Sequence, residues 1–75
     1  MSRIPIISGS ELIKVLSKIG YQVIRQRGSH IRLRASGKSE LRPITVPNHK
    51  TVKTFLLLKI IKQAGLSLDD LKKLL

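Results

Sequence analysis

The residues with the greatest capacity for chemistry lie in one stretch, Arg25–Arg34, which reads Arg-Gln-Arg-Gly-Ser-His-Ile-Arg-Leu-Arg. It holds four arginines and one histidine around a single glycine. Histidine has an ordinary pKa of about 6.5 and can give or take a proton near neutrality. Guanidinium keeps its proton and can bridge two phosphate oxygens. From Ser29 onward, Ile31 and Leu33 alternate with His30, Arg32 and Arg34. Alternation of period two marks a half-buried strand, with Ile31 and Leu33 in a core and the other three in a row on the wet face. That row is a phosphate-handling surface with a proton-transfer group in it.

The flanking elements must hold this strand. Ser8-Gly9-Ser10-Glu11 fits a capping box, a hydroxyl followed three residues on by a carboxylate. It predicts a helix to about Ile19, with Leu12, Ile13, Val15, Leu16 and Ile19 on its apolar face and Gly20 as its stop. Tyr21–Arg27 reads as a first strand, with a tight turn at Arg27-Gly28 before the second strand, Ser29–Arg34. A two-residue turn there sets Ile24 opposite Ile31 and Arg25 opposite His30. Ala35–Glu40 is a polar loop and Leu41–Val46 a third strand, with Pro43 requiring either an edge position or a start after it. Pairing Ile44 with Leu33 and Val46 with Ile31 brings Pro47-Asn48-His49-Lys50 beside His30. Thr51 or Thr54 caps a second helix to about Ala64, apolar on most sides as in a helix packed on a sheet, and Gly65 ends it. Ser67-Leu68-Asp69-Asp70 starts a short last helix to Leu74. The expected fold is α+β, in the order α-β-β-β-α. Two helices cover one face of a three-stranded antiparallel sheet, a short C-terminal helix follows, and the arginine face stays open.

Composition narrows the partners. Fifteen Lys and Arg against four Asp and Glu give a formal charge of +11 over 75 residues. Such an excess calls for a polyanion, nucleic acid or an acidic protein. A chain of this length buries roughly 60–65% of its unfolded surface, enough for one core and one domain spanning residues 1–75. The absence of cysteine excludes disulfides and thiolate metal sites. Two histidines and four scattered acids lack metal-ligand spacing, no phosphate-cradling glycine loop is present, and no cofactor is expected. With two aromatics, Tyr21 and Phe55, base stacking offers little. The longest strictly apolar run, Phe55–Leu58, is far short of the ~20 residues a membrane span needs, so a soluble, cytoplasmic protein is expected.

Gly28-Ser29-His30 after a basic strand, then Val46-Pro47-Asn48-His49-Lys50, then Ile61-Lys62-Gln63-Ala64-Gly65, stand behind an amphipathic helix ending in Gly20-Tyr21. In order and spacing, from about Ser10 to Leu66, this resembles the HicA family of toxins. The resemblance implies a double-stranded-RNA-binding-domain-like fold, a ribosome-independent mRNA interferase activity, and a partner antitoxin, HicB. It also implies that His30, at the histidine of the Gly-Ser-His motif, is the residue required for RNA cleavage. One departure is that Thr51–Leu57 is short and lacks the Gly-Thr pair that often opens the family's second helix.

RNA can be cut without a metal when its 2′-hydroxyl attacks the adjacent phosphate. One group then removes that proton, another protonates the leaving oxygen, and cations stabilise the added charge. His30 is the candidate general acid or base, and His49 a second proton carrier, or else a residue that only orders its loop. Arg25, Arg27, Gly28, Ser29, Arg32, Arg34 and Lys50 form the candidate nucleic-acid contact set. Arg32 and Arg34 share the wet face with His30; Arg27 lies in the turn, and Arg25's face depends on register. Two other readings use the same residues: a non-catalytic RNA- or DNA-binding module, and a domain whose basic surface serves an acidic protein.

Overall fold

The computed structural model describes residues 3–37 and 41–75. Its elements are α1 (Gly9–Lys18), β1 (Tyr21–Arg27), β2 (His30–Ala35), β3 (Ile44–Pro47), α2 (Thr54–Gln63) and α3 (Leu68–Leu74). The three strands form an antiparallel sheet in the order β1-β2-β3, so β2 is central and both of its neighbours are edges. This is the α+β, double-stranded-RNA-binding-domain-like layout expected from the sequence.

Local signals set the helix ends. The Ser8 hydroxyl accepts from the Glu11 amide at 3.1 Å, and the Ser8 amide donates to Glu11 Oε1 at 3.0 Å. These two bonds satisfy amides that a helix start otherwise leaves without partners. Ser67 and Asp70 repeat the arrangement at α3, at 3.1 and 2.9 Å. α2 begins otherwise. Its N-cap is Lys53, with no side-chain cap bond, so neither Thr51 nor Thr54 caps it. Thr54 is already the first helical residue, and Thr51 lies too far upstream to reach the helix's first amides.

The core lies between the sheet and the helices. Leu12 and Leu16 of α1, Tyr21 of β1, Leu33 of β2, Ile44 and Val46 of β3, Leu57 and Ile60 of α2, and Leu71 of α3 are all essentially inaccessible. α1 packs on β1 and β3, α2 packs on β3, and α3 braces α1 and α2. Ile31 and Leu33 face this core as their alternation requires, whereas His30 and Arg34 are exposed and Arg32 is half-buried. Burying a Leu or Ile side chain stabilises by roughly 1.5–3 kcal/mol, and this pairing of faces therefore dominates the placement of β2.

Strand pairing departs from the sequence reading at the first hairpin. β2 pairs with β3 as expected, Leu33 with Ile44 and Ile31 with Val46, and β3 starts after Pro43 at the sheet edge. In the first hairpin the central turn residues are Gly28 and Ser29, so Arg27, not Arg25, lies opposite His30. Gly28 has φ +60°, the left-handed value that the first central position of a type II′ turn demands, and glycine supplies it without steric cost. Gln26, not Ile24, therefore faces Ile31. Apolar matching had no force here, because beyond Tyr21 the residues of β1 are all exposed. Ser29 also lies in the turn, one residue ahead of β2. α2 is less covered than its composition suggests: Phe55 is 71% exposed and Leu58 37%, on the side turned from the sheet. Ala35 closes β2, and residues 38–40 of the expected polar loop lie outside the described residues.

Candidate functional site

The site begins with a register shift. Tyr21, Gln22 and Val23 of β1 pair with Ala35, Arg34 and Leu33, and Arg25, Gln26 and Arg27 pair with Arg32, Ile31 and His30. Ile24 is the extra residue between the two sets, a β-bulge. Strand side chains alternate, so without the bulge Arg25 and Arg27 would share a face with Tyr21 and Val23, toward the helices. The inserted residue reverses the phase. Arg25 and Arg27 consequently join His30, Arg32 and Arg34 on the open face. Bulges re-aim side chains in this way.

The open face thus sets basic side chains across from one another. Arg25 stands opposite Arg32, and Arg27 opposite His30. Like charges directly across a ladder cost roughly 0.2–1 kcal/mol, so nothing in the fold's own stability favours them. Arg32 is steadied by its Nη1 donating to Thr45 Oγ1 on β3 at 3.3 Å. The described acids lie elsewhere: Glu11 caps α1, and Asp69 and Asp70 start α3. Among the described residues no three His, Cys, Asp or Glu side chains gather as a ligand set.

A second segment meets the hairpin turn. The Asn48 amide donates to the Ser29 carbonyl at 2.6 Å, and Pro47 lies opposite His30. The Gly9 amide, at the start of α1, donates to the His49 carbonyl at 2.9 Å, and the Val52 amide donates to Ile7 at 2.9 Å. Ser10 Oγ lies 3.5 Å from Asn48 Oδ1. The loop carrying Asn48, His49 and Lys50 is therefore clamped between the turn and the N-terminus of α1. It is the His49 carbonyl that these bonds hold; its side chain and that of Lys50 are exposed.

All the expected site residues of the hairpin, Arg25, Arg27, Gly28, Ser29, His30, Arg32 and Arg34, thus fall along one face and its turn, with the His49-Lys50 loop beside the turn. Sequence reading missed Gly9. A side chain there would overlap the Pro47 carbonyl oxygen and approach Asn48 Cα to 3.0 Å. It also missed Thr45 and the bulge at Ile24. Only the bulge left a trace, as the break in alternation at Val23-Ile24.

Fold and site together define a small α+β protein whose helices back a three-stranded sheet and whose open face is densely basic. A family model, described as the HicA toxin of bacterial toxin-antitoxin systems, matches residues 9–66, well over half of the chain. The chain belongs to the HicA toxin family. It is thereby a toxin of the toxin-antitoxin type, a class that pairs with an antitoxin. Comparison with curated proteins gives no match, and comparison with solved structures gives none.

Proposed function

We propose that the protein is a ribosome-independent mRNA interferase, an endoribonuclease that acts in the cytoplasm and is silenced by a HicB-type antitoxin. The observation that carries this reading is the exposed His30 directly across from Arg27, on a face it shares with Arg25, Arg32 and Arg34. His30 moves the proton, as the base on the 2′-hydroxyl or the acid on the leaving oxygen. The arginines hold the phosphate and stabilise the charge that grows on it. Their mutual repulsion is relieved when a phosphate chain lies between them, which gives the opposed cations a use. His49 serves as the second proton carrier. Gly28, Ser29 and Lys50 line the approach of the RNA backbone.

Incubating the pure protein with RNA in excess chelator tests the proposal. Cleavage that His30→Ala abolishes, in a variant with an unchanged circular dichroism spectrum, is the expected result. A folded His30→Ala protein that still cuts would remove His30 from the mechanism. Salt-sensitive binding without any cleavage would instead make the protein a binding module using the same face.

A further inference from the structure

The open face does not end at the arginine row. At the end of β2 away from His30 lies a groove of about 670 Å³, within the range of small-ligand pockets. Arg34 and Arg42 supply two guanidiniums to its lining, Gln22 a carboxamide, and Ile24, Leu41 and Pro43 an apolar floor. The bulge that re-aims Arg25 and Arg27 also puts Ile24 here, 54% exposed. The rim is anchored, because the hydroxyl of buried Tyr21 donates to the Arg42 carbonyl at 3.3 Å.

We propose that this groove is a second nucleotide subsite, holding one unstacked nucleotide of the single-stranded RNA whose backbone passes His30. The inference rests on the nuclease reading for the direction of the strand but not for the groove's own chemistry. Arg34 and Arg42 take the phosphate, where bidentate geometry favours arginine. The aliphatic floor takes a face of the base or ribose, and the Gln22 amide, both donor and acceptor, reaches a base edge. A bare phosphate would leave that floor wet, and an acidic peptide would have no use for it. Arg34 lies four strand positions beyond His30, about 13 Å at the usual rise. That is the length of about four stacked nucleotides, and of fewer extended ones.

The test uses full-length protein carrying His30→Ala, so that no RNA is cut, and labelled RNA of about two and about eight nucleotides, followed by fluorescence anisotropy. The longer strand spans both ends of the face and binds about tenfold more tightly, the scale of one added charge-assisted contact. Arg42→Ala and Ile24→Ser, each added to His30→Ala, erase most of that gain. They change the affinity of the short strand, which can still sit at the other end, by no more than about twofold. Equal losses for both lengths would reduce the groove to diffuse charge and overturn the proposal. So would polyglutamate showing the same response to Ile24→Ser, or no gain with length. The two readings fail separately. Wild-type protein that cuts no RNA while the length effect holds would sink the nuclease and keep the subsite. Cleavage by wild type with both variants silent in binding would do the reverse.

Discussion

His30 faces Arg27 across the mouth of the β1–β2 hairpin, and the pair lies on the face away from Tyr21 and Val23 because one extra residue, Ile24, sits four positions before the turn glycine. The turn fixes which residues are opposite. The bulge fixes which side of the sheet they share with the rest of β1.

Deleting Ile24 is therefore expected to leave a regular ladder, with Arg25 and Arg27 still opposite Arg32 and His30 on the open face and Tyr21 and Val23 still opposite Ala35 and Leu33. The slope of log K against log salt for single-stranded RNA should hold, whereas loss of two phosphate contacts in Arg25→Ala/Arg27→Ala should flatten it by about 1.4. Anisotropy titrations over a salt series make the comparison. A folded deletion variant with the flattened slope of the double-alanine protein would show that cross-strand pairing does not hold these arginines on the open face.

Arg32 separates binding from stability. It stands opposite Arg25, and its contact with Thr45 is a 3.3 Å bond on the open face. Arg32→Ala should cost about 0.7 in salt slope and weaken RNA binding. It also relieves a like-charge pair worth roughly 0.2–1 kcal/mol, so the denaturation midpoint should hold or rise slightly. Leu33→Ala, one residue on and wholly buried, should cost about 2–5 kcal/mol. A fall in stability at Arg32 comparable to that at Leu33 would mean that the arginine supports the fold.

How much could be read from residues alone follows from where burial acts. The capping boxes at Ser8 and Ser67 were legible because three neighbouring residues complete each one. Leu33 opposite Ile44 was legible because both must leave water on the same side. The β1 register was not, since Val23 and Ile24 are half exposed and no core penalises a slip there. Phe55 looked like core for want of knowing which side of α2 the sheet would cover. Gly9 gave no sign, because its smallness is required by a carbonyl nearly forty positions away.

Titration of the one tyrosine reports on the core beside the proposed subsite. Burial raises the Tyr21 hydroxyl above its ordinary 10.0. Because the folded value exceeds the unfolded one, its contribution to stability is fully present below pH 10 and is lost as pH rises through the folded value. Phenolate absorbance should show a native midpoint above 10.0 that drops to the ordinary value in denaturant. Asp70 has the opposite sign. The Ser67 amide, then the Ser67 hydroxyl, holds its carboxyl below the ordinary 3.8, so its contribution is present above that pH and lost as pH falls below it. The stability gap between wild type and Asp70→Asn should be flat near neutrality and shrink in acid. A gap that widens in acid would contradict the capping geometry.

Gly9 gives the most direct link between packing and the site. Its amide holds the His49 carbonyl, and a Cβ would run into the Pro47 carbonyl oxygen and lie 3.1 Å from the Pro47 carbonyl carbon. Backbone on both sides leaves no flexible side chain to yield, so Gly9→Ala must part α1 from the loop. Overpacking of this kind costs about 1–3 kcal/mol. The same displacement pulls Asn48 from Ser29, the bond that keeps the loop beside the turn. RNA cleavage by Gly9→Ala, measured where the protein is still folded, should therefore fall further than in Ile60→Val, a core change of similar cost in α2, about 0.5–1.5 kcal/mol. Equal activity in the two variants at matched stability would mean that the clamp on the loop holds the fold together and does not position His30 or His49.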